Sequence, residues 1–322
     1  MSDTVRNVRY RLEGLALETA VRAVPLLPRR GCLAVANALG TIFHRLDHRG
    51  RRVAQANLQA AFGDRFDAGE RDRIARRSVC NFARTFLDLF WGARNIRADN
   101  YKRWFEIPGA SSRQRADAVA GSTLFVCQHF GNWEWLAYQG VLDGIRLRTV
   151  AQEFRNPRIG PVFDRVRTAH GGEVIARSGG MVKLVRFLKE GGSVAMLTDL
   201  TLRPEMPSVV LDCFGMKVCM TRMHVAFHRR IGCQLVPAAG VPLPDGRLRM
   251  EIGEPISPAA GATDRQIAQA CWDIAERQIR ERPELWLWSY KHFRYRPRRG
   301  GEPYPFYANE SGAFERRLVA GE

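Results

Sequence analysis

The chain lacks the features that would place it in several large classes. Its seven cysteines, Cys32, Cys80, Cys127, Cys213, Cys219, Cys233 and Cys271, are odd in number and form no C-x-x-C pair. That argues against a disulfide framework and a zinc ribbon. Buried, reduced thiols facing a reducing compartment are the simpler expectation. No G-x-G-x-x-G run and no Walker loop occurs, so nucleotide binding has little support. There is no internal repeat and no long low-complexity tract. No signal peptide is evident: Arg6, Arg9 and Arg11 precede an apolar stretch that Glu13, Glu18 and Arg22 interrupt. The longest charge-free run near the N-terminus, Gly31 to His44, falls short of the roughly 20 residues a spanning helix needs.

Acidic residues are also in short supply. The chain has 33 Asp and Glu against 50 Lys and Arg, a formal charge of +17. Such an excess says little about fold but points to an anionic partner: nucleic acid, an anionic bilayer, or an acidic or phosphorylated molecule. With 322 residues, 45% of them hydrophobic, one large core plus a helical extension is within reach.

Residues 1–95 read as helical. Leu12, Leu15, Leu17, Val21 and Val24 recur at helical spacing, and Pro25 and Pro28 end the first helix. A second helix near 29–46 is apolar in its body and bracketed by Arg29, Arg30, Arg45, Arg49, Arg51 and Arg52, which fits a helix lying in a membrane interface. A third runs from about 51 to 63 and a fourth from about 67 to 93. The aromatic end of the fourth (Phe82, Phe86, Phe90, Trp91) reads as core, with lining of an acyl path as the alternative. Residues 96–300 read as one α/β domain. In it short apolar runs at 122–128, 147–151, 173–176, 193–198, 208–211, 233–241 and 247–252 alternate with helices at 132–142, 157–170, 179–190, 220–231 and 263–281. That alternation predicts a layered fold with a largely parallel sheet flanked by helices. Residues 301–322 read as a loose tail.

The chemistry centres on HFGNWE. The apolar strand before it ends at Gln128, and the carboxyl end of a strand in an open α/β sheet is where ligands bind. His129 stands there as a general base. Gly131 permits a tight turn and close approach of backbone to substrate, Asn132 can cap the next helix, and Glu134 in its first turn would orient the imidazole. These groups suit deprotonation of an alcohol that attacks an activated carbonyl.

At this point the chain resembles the bacterial lipid A biosynthesis acyltransferases, within the lysophospholipid acyltransferase superfamily. The resemblance rests on His129–Glu134 as an H-x4-D/E motif, on the segment from Phe154 to Gly172, on Asp199 in MLTDL, on VVLDCFG (Val209 to Gly215) and on PELWLWSYKHFRYRP (Pro283 to Pro297). It implies a glycerol-phosphate-acyltransferase-like fold behind a membrane-associating helical region. It also implies transfer of a fatty acyl group from an acyl carrier protein or coenzyme A thioester to a hydroxyl of an anionic glycolipid, at the cytoplasmic face of the inner membrane, with no metal or other cofactor. His129, Glu134 and Asp199 become the catalytic candidates. Asn132, Arg155, Asn156 and Arg167 become the substrate-binding ones, Arg167 as a bidentate donor to phosphate. Within the class, a phosphatidylinositol mannoside-like glycolipid, an ornithine lipid or a lysophospholipid stay open as acceptors. A non-catalytic basic module on membranes or nucleic acid is the rival outside it.

Two further patterns carry bland readings. His224 and His228 are four apart on a helix, a spacing that can hold metal, but no third ligand is evident. Lys291, Arg294, Arg296, Arg298 and Arg299 interleave with Phe293 and Tyr295; headgroups or acyl carrier protein are the expected partners, and nucleic acid is not.

Overall fold

The computed structural model describes residues 3–109, 121–151, 153–176, 179–298 and 304–320. Four helices open the chain: α1 (Asp3–Ala23), α2 (Arg29–Leu46), α3 (His48–Phe62) and α4 (Ala68–Asn95). Local chemistry sets their ends. Asp47 accepts from the Gly50 amide at the start of α3, and Asp67 and Glu70 form a reciprocal capping box on α4. Gly40 lets α2 lie directly on α4, because a Cβ there would stand 2.4 Å from the Cys80 Cα. The exposed face of α2 is apolar (Val35, Leu39, Ile42, Phe43, Leu46), while Cys32, Ala36, Gly40 and His44 face inward. Among the described residues no helix is long and apolar enough to cross a membrane.

The α/β domain is built on a seven-stranded sheet of order β1-β9-β8-β2-β5-β3-β4: β1 (Phe105–Glu106), β2 (Thr123–Cys127), β3 (Leu147–Ala151), β4 (Glu173–Ala176), β5 (Ser193–Leu197), β8 (Gln234–Pro242) and β9 (Leu248–Ile252). Only β8 and β9 pair antiparallel. The central strands are apolar at successive positions because both faces are covered. Phe125, Cys127, Ala195 and Leu197 face α5 (Trp133–Leu142). Leu124, Val126, Val194 and Met196 face α7 (Met181–Lys189), α8 (Met223–Ile231) and α9 (Asp264–Glu281). A shorter helix, α6 (Gly160–Arg167), packs against α4.

The sequence reading of an α/β fold behind a helical N-terminal region therefore holds. Two differences are local. Residues 208–221 form a hairpin of β6 (Ser208–Cys213) and β7 (Met216–Thr221), whose second strand the sequence reading missed. The C-terminal stretch is also less loose than expected. In it β11 (Asn309–Glu310) pairs with β10 (Tyr295–Arg296), and α10 (Gly312–Val319) buries Phe314 completely. Arg299 lies outside the described residues.

Candidate active site

Register brings the site together. Strands β2 and β5 are parallel neighbours with Cys127 opposite Leu197. Two residues beyond each of these positions stand His129 and Asp199, so both side chains arrive at the same edge of the sheet. The His129 ring Nδ1 lies 2.8 Å from Asp199 Oδ1, and the His129 amide donates to Oδ2 at 3.0 Å. An acceptor this close assigns the ring proton to Nδ1. Asp199 is fully buried. Burial pushes its carboxyl up, but the facing imidazole and the N–H donors outweigh that and hold it at about 2. It is a permanent anion behind the imidazole.

The orienting carboxylate is thus Asp199, and Glu134 is engaged elsewhere. Its two oxygens accept from Arg167 Nε at 3.0 Å and Nη2 at 2.6 Å. The reason is local geometry. Helix α5 begins only at Trp133, so residues 129–132 are loop and a five-residue spacing does not place Glu134 a helical turn from His129. Burial opposes the charge on Arg167, yet Glu134 more than offsets it and raises the guanidinium pKa.

The loop itself is clamped by backbone and by α4. Gly131 has φ +60, and a Cβ there would stand 1.9 Å from the Gly240 carbonyl oxygen. The close approach is therefore to a neighbouring strand, not to a substrate. The Gly131 amide donates to Leu285 and the Asn132 amide to Gly240. Ser78, Asn81, Thr85 and Asp88 form one polar stripe on α4, spaced three, four and three residues apart. The Ser78 hydroxyl donates to the Trp286 carbonyl. Asn81 and Thr85 both donate to the Gly131 carbonyl, and Asp88 accepts from the Asn132 side chain at 2.9 Å. Asp88 also pairs with Arg29 at 2.5 Å and Arg84 at 3.3 Å. None of these four was singled out from sequence. A polar stripe at helical spacing inside an aromatic helix end was the available signal.

Of the expected binding residues, Arg167 lines the cavity beside His129. Asn132 does not: its oxygen caps the Trp135 amide and its nitrogen reaches Asp88. Asn156 is a strap to α1, donating to the Tyr10 carbonyl and the Glu13 carboxylate. Arg155 is exposed and outside the cavity lining. His224 is buried, and among the described residues neither of its ring nitrogens is bonded, while His228 Nδ1 faces the Cys233 carbonyl at 2.9 Å. Among the described residues no cluster of metal-ligating side chains forms.

The cavity measures about 420 Å³ and runs from His129 between α5 and the sheet. Small residues on the facing surfaces, Ala137, Gly140, Ala195 and Ala238, leave it open, while Met250 and Ile252 bound it on β9. A largely apolar concave space of this size with a few convergent polar groups is the candidate ligand site. Phe82, Phe86, Trp133 and Phe154 lie among the walls, with the Trp133 ring 5.1 Å from His129. Burial pushes the Cys127 thiol up to about 12, which leaves it protonated and no rival nucleophile.

The chemistry is that of a half-buried imidazole, backed by a buried Asp199, on a largely apolar cavity with an Arg–Glu pair on its wall. Among curated proteins none matches the chain closely enough to name as a relative. A family match does extend over residues 3–295. On that match the chain belongs to the bacterial lipid A biosynthesis acyltransferases.

Proposed function

We propose that the protein transfers a fatty acyl group from a thioester, carried by acyl carrier protein or coenzyme A, to a hydroxyl of a lipid A precursor, with His129 as general base. The observation that carries this reading is the His129–Asp199 pair at the mouth of an apolar cavity. With Nδ1–H donated to Asp199, Nε2 is the basic nitrogen, and no hydrogen bond engages it among the described residues. It takes the proton of the acceptor hydroxyl as that oxygen attacks the thioester carbonyl. Asp199 stabilises the imidazolium so formed. The tetrahedral intermediate collapses, its C–S bond breaks, and the departing thiolate takes the proton from Nε2. The acyl chain lies in the cavity under α5. Glu134 takes Nε and Nη2 of Arg167, and Nη1, which no hydrogen bond engages among the described residues, is left for an anionic substrate group.

The surface supports action at a membrane. The apolar outer face of α2 and an exposed α1 edge (Val5, Val8, Leu12, Leu15) adjoin arginines of both helices, a pattern suited to insertion among anionic headgroups. Asn156 ties α1 to the segment bearing Phe154 at the cavity. Lipid surface and cavity wall are thereby neighbours.

The test is His129→Ala in the full chain, assayed with acyl thioesters of acyl carrier protein and of coenzyme A, a lipid A precursor, and mass detection of products. Turnover falls about a thousandfold or more, while binding to anionic vesicles stays unchanged. Undiminished turnover overturns the assignment.

A further inference from the structure

Asp199 receives three donors, and the third comes from a distant part of the chain. Besides the two His129 groups, the indole Nε1–H of Trp286 donates to Oδ2 at 2.8 Å, across 87 residues of sequence. Rotation of a carboxylate about its last bond is soft and broadly two-fold, so its orientation is set by what donates to it. Here the donor is rigid. The Trp286 ring is buried, edge-on to Trp288 at 4.7 Å and stacked on His292 at 3.9 Å. Its carbonyl accepts from Ser78 on α4, and the Trp288 carbonyl accepts from Asn57 on α3 at 2.8 Å. The stacked His292 donates from Nε2 to the Leu287 carbonyl at 2.8 Å, and burial pushes its pKa down to about 4. It therefore stays neutral and puts no competing charge beside Asp199.

We infer that Trp286 is a positioning residue: its N–H pins one oxygen of Asp199 so that the other faces His129 Nδ1 and the imidazole keeps Nε2 toward the cavity. The inference rests on the reading of His129 and Asp199 as the catalytic pair. A neighbour provides the control. Trp272 belongs to the same aromatic cluster, 6.0 Å from Trp286, but its N–H goes to Glu276.

The experiment compares three forms of the full chain in the acyl-transfer assay: Trp286→Phe, a form with the Trp286 indole replaced by the isosteric benzothiophene, and Trp272→Phe. The benzothiophene form keeps the ring's shape and loses only the donor, so it stays informative should Trp286→Phe unfold. Loss of a hydrogen bond to a charged group lowers kcat about 10- to 100-fold in both position-286 forms, with KM within about threefold because no substrate contact is touched. The low-field proton resonance of the His129 Nδ1–H bond moves or vanishes in both. Trp272→Phe keeps that resonance and a near-wild-type kcat. A benzothiophene form with wild-type kcat and an unmoved resonance overturns the inference, as does an equal loss in Trp272→Phe. If His129→Ala also retains turnover, the reading of the site falls with it. An inactive His129→Ala beside a fully active benzothiophene form overturns the Trp286 role alone.

Discussion

Two walls of the cavity each present a nitrogen group paired with a carboxylate, His129 backed by the buried Asp199 and Arg167 held by Glu134, and the two pairs differ in kind. On the strand-end wall, Asp199 meets an imidazole, a group that can take up and pass on a proton. On the helix wall, Glu134 meets a guanidinium, which cannot give up its proton. Both carboxylates are buried and both pairs are close, at 2.8 Å and 2.6 Å. The lesson is that an H-x4-E spacing here names two polar groups lining one cavity and not a pair of partners. In the proposed reaction the proton moves at the His129 side, and the Arg167–Glu134 pair serves the substrate's anionic group on the other.

The largest effect that separates the walls is expected from Asp199→Asn. The amide removes the anion behind the imidazole and can favour the wrong tautomer, so kcat drops about 100- to 10,000-fold with a modest change in KM. Linkage gives the pH sign. The folded-state pKa of Asp199 is depressed from 3.8 to about 2. The stability this contributes is complete above the unfolded value and is lost as pH falls through about 2. Acid unfolding of the wild type should show that loss, and Asp199→Asn should not. An active Asp199→Asn would erase the distinction between the two walls.

The difference between the walls also marks where the sequence was legible. Helices and central strands could be read because apolar runs covered on both faces, proline stops and capping residues are local signals. Cavity-lining Phe82 and Phe86 were noticed for the same reason. His129 stood out because a strand end, a glycine turn and a helix start surround it. Asp199 was named through the family resemblance, but its pairing with His129 was not legible, since only the β2–β5 register sets it opposite, and β5 is not the next strand in the chain. Glu134 misled because residues 129–132 are not helical. Trp286 gives no local sign of its role. Strand β7 was missed because Phe214, at φ 51, occupies a left-handed turn position where Asn, Asp or Gly is the usual signal. The C-terminal helix hangs on one buried ring, Phe314, in an otherwise polar stretch.

A second, smaller effect sharpens the helix wall. Glu134→Gln leaves the half-buried Arg167 charge without its counter-ion, which costs about 1–3 kcal/mol of stability, less than the loss of a partner in a fully buried pair. Chemical denaturation measures it. Replacing both members, Glu134→Met with Arg167→Met, recovers most of that stability, because the uncompensated charge is gone. Acyl transfer to an anionic acceptor does not recover with it. If turnover returned together with stability, the pair would be scaffolding only.

The smallest effect is expected from Arg167→Lys, which keeps the positive charge and loses the planar fork. Glu134 now holds a single ammonium, and the geometry that left Nη1 for the substrate is gone. KM for the phosphorylated acceptor rises about tenfold, the equivalent of one charge-assisted hydrogen bond. By contrast kcat changes little, since no proton passes through this group. Initial-rate kinetics at varied acceptor concentration separates the two constants. A fall in kcat with unchanged KM would put Arg167 at the reacting carbonyl and bring the chemistry to both walls.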